Sequence, residues 1–172
     1  MKSNIALIGF MGTGKTAVGE TLANRLHKKF VELDALIEEQ AGMPITKIFE
    51  KEGEIGFRER EIGAVKEVVG RRGGQVIACG GGVVLNRINI DRLKEDAVVV
   101  LLTATPSTIL KRTLVGGATR PLLNVPDSLT RIREMLKSRR PLYEGAADIT
   151  VNTTGVSLEA VVDEIVRQLN EK

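Results

Sequence analysis

Apolar residues in this chain gather in short runs, and between the runs they recur every three or four positions. Residues 4–9 (NIALIG) form an apolar run that ends in a Gly-rich turn. Residues 97–103 (AVVVLLT) form a second run, suited to a strand covered on both faces. Shorter strands are expected at 30–33, 75–79 and 148–151. The stretches between them carry helical spacing. Residues 14–28 align Val18, Leu22 and Leu26, and 54–69 predict a longer helix marked by Phe57, Ile62, Val65 and Val69. Two short helices, 35–40 and 45–50, are separated by Gly42 and Pro44. A further helix is expected at 86–94, and another at 106–114, where Pro106 can occupy the first turn. Asp127 is expected to cap a helix reaching Arg140, and Ser157 to open the last one. Residues 114–125 (LVGGATRPLLNV) show little periodicity and read as a mobile loop.

Strands alternating with helices predict an α/β fold, with right-handed crossovers joining a parallel sheet. The expected architecture is a three-layer α/β/α sandwich around five parallel strands. No repeat, low-complexity tract or linker interrupts the pattern, so one domain is expected over residues 1–172.

Composition narrows the function. A chain of 172 residues with 42% hydrophobic and 27% charged residues is typical of soluble globular proteins. No apolar run approaches the ~20 residues needed to span a bilayer. The N-terminal stretch lacks the long apolar region of a secretory signal, so a cytoplasmic location is expected. The single cysteine, Cys79, excludes an internal disulfide and offers no metal-ligand cluster. A net charge of +3, 3% aromatic residues and no Trp give no stacking platform for nucleic acid. The expected partners are anionic small molecules, with neither nucleic acid nor membrane.

One motif carries specific chemistry. Gly9-Phe10-Met11-Gly12-Thr13-Gly14-Lys15-Thr16 fits G-x-x-x-x-G-K-[ST] at every fixed position, between an expected strand and an expected helix. Glycines let successive backbone N–H groups turn around phosphate oxygens, and the helix N-terminus adds a favourable partial charge. Lys15 can reach the β- and γ-phosphates, and the Thr16 hydroxyl can ligate Mg²⁺. The motif marks a nucleoside triphosphate site. A guanine-reading N-K-x-D segment is missing, and the run at 97–103 ends without the acid of an assembly ATPase. A small-molecule kinase remains the best fit.

Further motifs sharpen this. Residues 30–45 (FVELDALIEEQAGMPI) are followed by 53–61 (GEIGFRERE), Cys79-Gly80-Gly81-Gly82, Thr119-Arg120-Pro121-Leu122-Leu123 and Arg139-Arg140-Pro141-Leu142-Tyr143. In this order and spacing, across essentially the whole chain, they resemble the shikimate kinases. The resemblance implies a nucleoside-monophosphate-kinase type of phosphate-loop fold, with a substrate-binding segment at about 33–61 and a lid at about 114–125. It implies transfer of the γ-phosphoryl of ATP to the 3-hydroxyl of shikimate, on the route to chorismate and aromatic amino acids, by a Mg²⁺-dependent monomer.

The resemblance also implies residue roles. Gly12, Thr13, Gly14, Lys15, Thr16 and Ala17 hold the nucleotide, with Arg112 packed on adenine and Asn152 in the adenine loop. Asp34 binds the acceptor hydroxyls; a helix N-cap is the alternative reading of that acid. Arg58 and Arg139 grip the substrate carboxylate, a task suited to planar guanidinium groups, although either could be a solvated helix-face charge. Arg60 and Arg140 are assigned to the surface or to salt bridges. Arg120 reaches the phosphates upon lid closure, and Lys15, Asp34 and Arg120 form the catalytic set. Glu32 stands where the family commonly has a metal-associated Asp, so Thr16 and Glu32 are the candidate Mg²⁺ residues. Asn152 likewise replaces a common Asp. Gly80, Gly81 and Gly82 are expected to line the acceptor site, where side chains would fill needed space. His27 reads as an end-of-helix or surface residue, and Cys79 as a small buried one. Another kinase of the same fold, such as a gluconate kinase, and a catalytically silent nucleotide-binding module are the alternatives.

Overall fold

A computed structural model of the chain describes residues 2–115 and 127–172. The strands are β1 (Asn4–Ile8), β2 (Lys29–Glu32), β3 (Gln75–Ala78), β4 (Ala97–Thr103) and β5 (Ile149–Asn152). The helices are α1 (Lys15–Arg25), α2 (Leu33–Ala41), α3 (Ile45–Val69), α4 (Arg87–Asp96), α5 (Pro106–Val115), α6 (Ser128–Ala146) and α7 (Leu158–Asn170). A single 3₁₀ turn, Val83–Leu85, lies between β3 and α4.

All strand pairs are parallel, in the order β2-β3-β1-β4-β5. Alternating residues of the central strands feed two separate cores, as the period of two requires. Ile5 and Leu7 of β1 join Val100, Leu102, Val151, Val18 and Val162 beneath α1 and α7. Ala6 and Ile8 face the other way and pack with Ile77, Leu101, Ile37, Val65 and Ile132 beneath α2, α3 and α6. The sandwich therefore has the three predicted layers. Asn4, buried at the start of β1, locks the lower edge: its Oδ1 accepts from Gln75 N at 2.7 Å and its Nδ2 donates to Asp96.

This topology places the site. The helix after β1 lies on one face of the sheet, while the segments after β2 and β3 pack on the other. Connections that leave neighbouring strands in opposite directions open a crevice at their C-terminal ends. Gly9, Glu32 and Cys79 stand at or beside those ends.

Several expectations change in detail. The helices read at 45–50 and 54–69 are joined in α3, but Gly53 at φ 70° and ψ −176° breaks the path between them. Only glycine adopts that conformation readily. The buried stripe of the second half is Phe57, Glu61, Ala64, Val65 and Val68; the anticipated Ile62 and Val69 are only partly covered. Asp127 precedes α6 at φ 62° and makes no capping side-chain bond. The helix also runs beyond Arg140, through Pro141, to Ala146, because its buried residues Arg139, Tyr143 and Ala146 continue the packing stripe across the proline. Ser157 does cap α7, its Oγ accepting from Ala160 N at 3.2 Å. No helix among the described residues is long and apolar enough to cross a membrane.

Candidate active site

The phosphate loop turns on three glycines with positive φ: Gly9 (148°), Gly12 (76°) and Gly14 (95°). At Gly9 an added Cβ would lie 2.4 Å from Leu102 O, so β4 itself forbids a side chain there. Gly14 is the N-cap of α1 and supplies no side-chain acceptor, which leaves the first-turn N–H groups of the helix directed at an incoming anion. Lys15 Nζ donates to Gly9 O at 2.6 Å and Phe10 O at 3.0 Å, arched over its own loop. The exposed Thr16 Oγ1 donates to Glu32 Oε2 at 3.2 Å, so the two candidate metal residues meet.

Beside the loop opens a cavity of about 640 Å³. It is lined by Gly12, Gly14, Lys15, Thr16, Ala17, Glu32, Asp34, Arg58, Gly80, Gly81, Gly82, Arg112 and Arg139, which brings together most of the residues singled out from sequence. Thr13 and Asn152 do not line it. Thr13 is buried, with Oγ1 donating to Phe10 O at 2.7 Å. Asn152 is exposed at the end of β5 and accepts from Thr154 N at 3.1 Å, shaping its own loop. Arg120 and most of the expected lid lie outside the described residues.

Asp34 occupies the first turn of α2, whose N-cap is Glu32, so the helix-cap alternative for Asp34 does not hold. Arg58 on α3 is half-buried: Nη1 donates to Glu61 Oε1 at 3.0 Å, Nη2 lies 3.5 Å from Glu54, and Cζ sits 5.1 Å from the Phe57 ring centroid. Arg139 on α6 is buried, with Nη1 at 3.4 Å from Gly81 O and Cζ 5.8 Å from the Phe10 ring centroid. Neither is a solvated helix-face charge. Arg60 and Arg140, by contrast, pair with Glu52 and Glu144 near the surface, as expected. His27 is exposed in the turn after α1.

The glycine triplet has a sharper role than expected. None of the three takes a positive φ. A Cβ at Gly80 would stand 2.9 Å from Asp34 Oδ1 and 3.2 Å from Glu61 Oε2, and one at Gly82 would stand 2.3 Å from Arg58 Nη1. The glycines make room for the protein's own charged groups, which crowd against them. Tyr143 OH and Arg139 both donate to Gly81 O and hold the triplet from behind.

Glu61 was not among the sequence candidates. It is fully buried, and burial pushes its carboxyl up to about 7, with Arg58 opposing and Asp34 adding to the rise. Its signal was present: an acid four residues after Phe57 and three after Arg58 falls on the helix stripe that faces the core. The stacked pair Phe49 and Phe57 (centroids 4.8 Å apart) was also missed as cavity wall. Cys79, buried and with its thiol pushed up to about 12 by burial, is the inert residue expected. A second, shallower cavity lies between α5 and the loop after β5, lined by Thr108, Lys111, Arg112, Val115 and Gly155. Arg112 Nη1 donates to Gly12 O (3.1 Å) and Thr153 Oγ1 (2.9 Å), and its Nη2 to Thr153 O (2.9 Å).

Known proteins resemble this chain over nearly its whole length. A "Shikimate kinase" of Caldanaerobacter subterraneus subsp. tengcongensis is 47% identical over 164 residues, covering 95% of this chain and 94% of that protein. The solved structure of a shikimate kinase from Acinetobacter baumannii in complex with shikimate superposes with a TM-score of 0.94 at 37% identity, covering 99% of this chain and 94% of that one. A gluconokinase from Sinorhizobium meliloti shares the fold alone, at 18% identity and a TM-score of 0.64 over 99% of this chain and 93% of that one. The family model for shikimate kinase matches residues 11–170, and with it the chain belongs to the shikimate kinase family of ATP-dependent kinases.

Proposed function

We propose that this chain, a shikimate kinase, directs the γ-phosphoryl group of ATP to the 3-hydroxyl of shikimate with Asp34, Arg58 and Arg139 holding the acceptor. Shikimate carries one carboxylate, and buried guanidinium groups pair with such a group bidentately. Arg58 is held by Glu61 and Arg139 by the Gly81 carbonyl, so both forks are oriented before substrate arrives. Asp34, across Gly80, orients the attacking hydroxyl and accepts its proton late, as a loose phosphoryl-transfer transition state requires. Lys15 exchanges the carbonyls of Gly9 and Phe10 for β- and γ-phosphate oxygens, and Arg120 adds a donor from the lid.

The oxygen donors of Thr16 and Glu32 are adjacent, exposed and hard, which suits an Mg²⁺ ion that keeps several waters and binds through phosphates. When bound, the ion neutralises charge on the β- and γ-phosphates. In this reading the chain is a cytoplasmic monomer with one kinase domain, its substrate segment at about 33–61 and its lid at about 114–125. The shallow cavity beside Arg112 and Gly155 takes the adenine.

One observation carries the acceptor assignment. Arg58 Nε and Glu61 Oε2 are buried without a hydrogen-bond partner among the described residues, in the cavity that the phosphate loop also lines. Buried polar atoms of this kind are satisfied by a ligand or by water. The test is ADP release by the purified protein with shikimate, gluconate and nucleoside monophosphates in turn. Turnover confined to shikimate supports the reading, and equal turnover with gluconate overturns it.

A further inference from the structure

Thr153 takes no part in the acceptor site, yet its side chain joins three elements around the nucleotide. It is buried at the start of the loop after β5. Its Oγ1 lies 3.1 Å from Thr13 O in the phosphate loop and 2.9 Å from Thr103 O at the end of β4, and it accepts from Arg112 of α5 at 2.9 Å. Thr153 N fixes the same corner by donating to Thr103 O at 2.8 Å. A neighbouring bond, Thr105 N to Thr154 Oγ1 at 2.9 Å, ties the loop to the start of α5.

The phosphate loop gains orientation from this. In a trans peptide the C=O and the following N–H point in opposite directions. With the Thr13 carbonyl turned outward onto Thr153, the Gly14 N–H is turned towards the cavity that Gly14 lines. The Gly12 carbonyl accepts from Arg112, whose guanidinium Thr153 holds through both its hydroxyl and its carbonyl. One hydroxyl thus sets the tilt of a phosphate-binding peptide and the position of the arginine beside the second cavity.

We infer that Thr153 is a positioning residue for ATP, matching the phosphate cradle to the base-binding side of the site. The inference rests on the assignment of this site to ATP. Three variants test it: Thr153→Val keeps the shape and removes the hydroxyl, Thr153→Ser keeps the hydroxyl, and Thr153→Ala differs from Ser by that hydroxyl alone. Steady-state kinetics with ATP and shikimate varied separately, together with melting temperatures, give the readout.

Thr153→Val should raise KM for ATP about tenfold, in the range of a lost buried hydrogen bond, and leave KM for shikimate within about twofold. Thr153→Ser should stay within about twofold of the parent on both. If Thr153→Val does not fold, a roughly tenfold gap in KM for ATP between Ser and Ala supports the same conclusion. Equal KM for ATP in the Ser and Ala variants overturns it, as does a rise in KM for shikimate matching that for ATP. Failure of the site assignment is distinguishable, because the parent enzyme would then show no ATP-dependent turnover.

Discussion

Replacing Glu61 by Gln should remove a pH dependence of stability that the parent chain carries between about pH 4.5 and pH 7. Burial raises this carboxyl from its ordinary 4.5 to about 7, against the attraction of Arg58 and with a further push from Asp34. Between those values the folded chain holds a proton that the unfolded chain has released. The contribution to stability is therefore full below pH 4.5, declines as pH rises, and is gone once the carboxyl ionises above about 7. At ~1.4 kcal/mol per pH unit of displacement, the span amounts to ~3 kcal/mol. A chain of this size loses about 2–4 °C of melting temperature per kcal/mol, so the expected shift is roughly 6–12 °C. Melting temperatures of parent and Glu61→Gln, measured by calorimetry from pH 4.5 to 8.5 at fixed ionic strength, give the difference curve. That difference, parent minus variant, should fall by the stated amount across the window. A flat curve, or one that rises with pH, would refute the buried, proton-holding carboxyl.

Gly82→Ala puts a methyl group where the Arg58 guanidinium now lies, so KM for shikimate should rise tenfold or more while KM for ATP moves less than about twofold, in the range of a disturbed charged hydrogen bond; separate substrate titrations check it. Lys15→Met removes the cation that reaches the transferring phosphoryl group, and kcat should fall by about 10²–10³ in the ADP-release assay. Ser157→Ala removes the cap of α7, and Ser157 lines neither cavity. It should cost about 1 kcal/mol, seen as a melting temperature lower by about 2–4 °C with unchanged kcat.

Where one local rule dominates, sequence and structure coincide. The strand 97–103 was legible to the residue because an unbroken apolar run is what a strand buried on both faces requires. The phosphate loop was legible because its glycines answer to backbone conformation, which depends on neighbours in sequence. Boundaries blurred where tertiary packing overrode local preference. Pro141 should end a helix, yet α6 passes through it because Tyr143 and Ala146 are anchored in the core beyond.

The acceptor site obeys a different logic, and Glu61 shows why part of it escaped. Read along the chain, an acid in the run Arg58-Glu59-Arg60-Glu61 looks like one more member of a solvated charge ladder. Glu59 is exposed and Arg60 pairs with Glu52 near the surface, in keeping with that reading. Only the helix phase separates Glu61 from its neighbours: Phe57, Ala64 and Val65 place its face against the core, where an ionised carboxylate is costly unless paired. Arg58 offsets only part of that cost, so the carboxyl is pushed up to about 7, while Gly80 and Gly82 leave room for the two groups by having no side chain. The triplet glycines and the buried acid are thus one feature divided between α3 and the end of β3. Each half looks unremarkable alone, and the chemistry becomes visible only when α3 packs against the C-terminal end of β3.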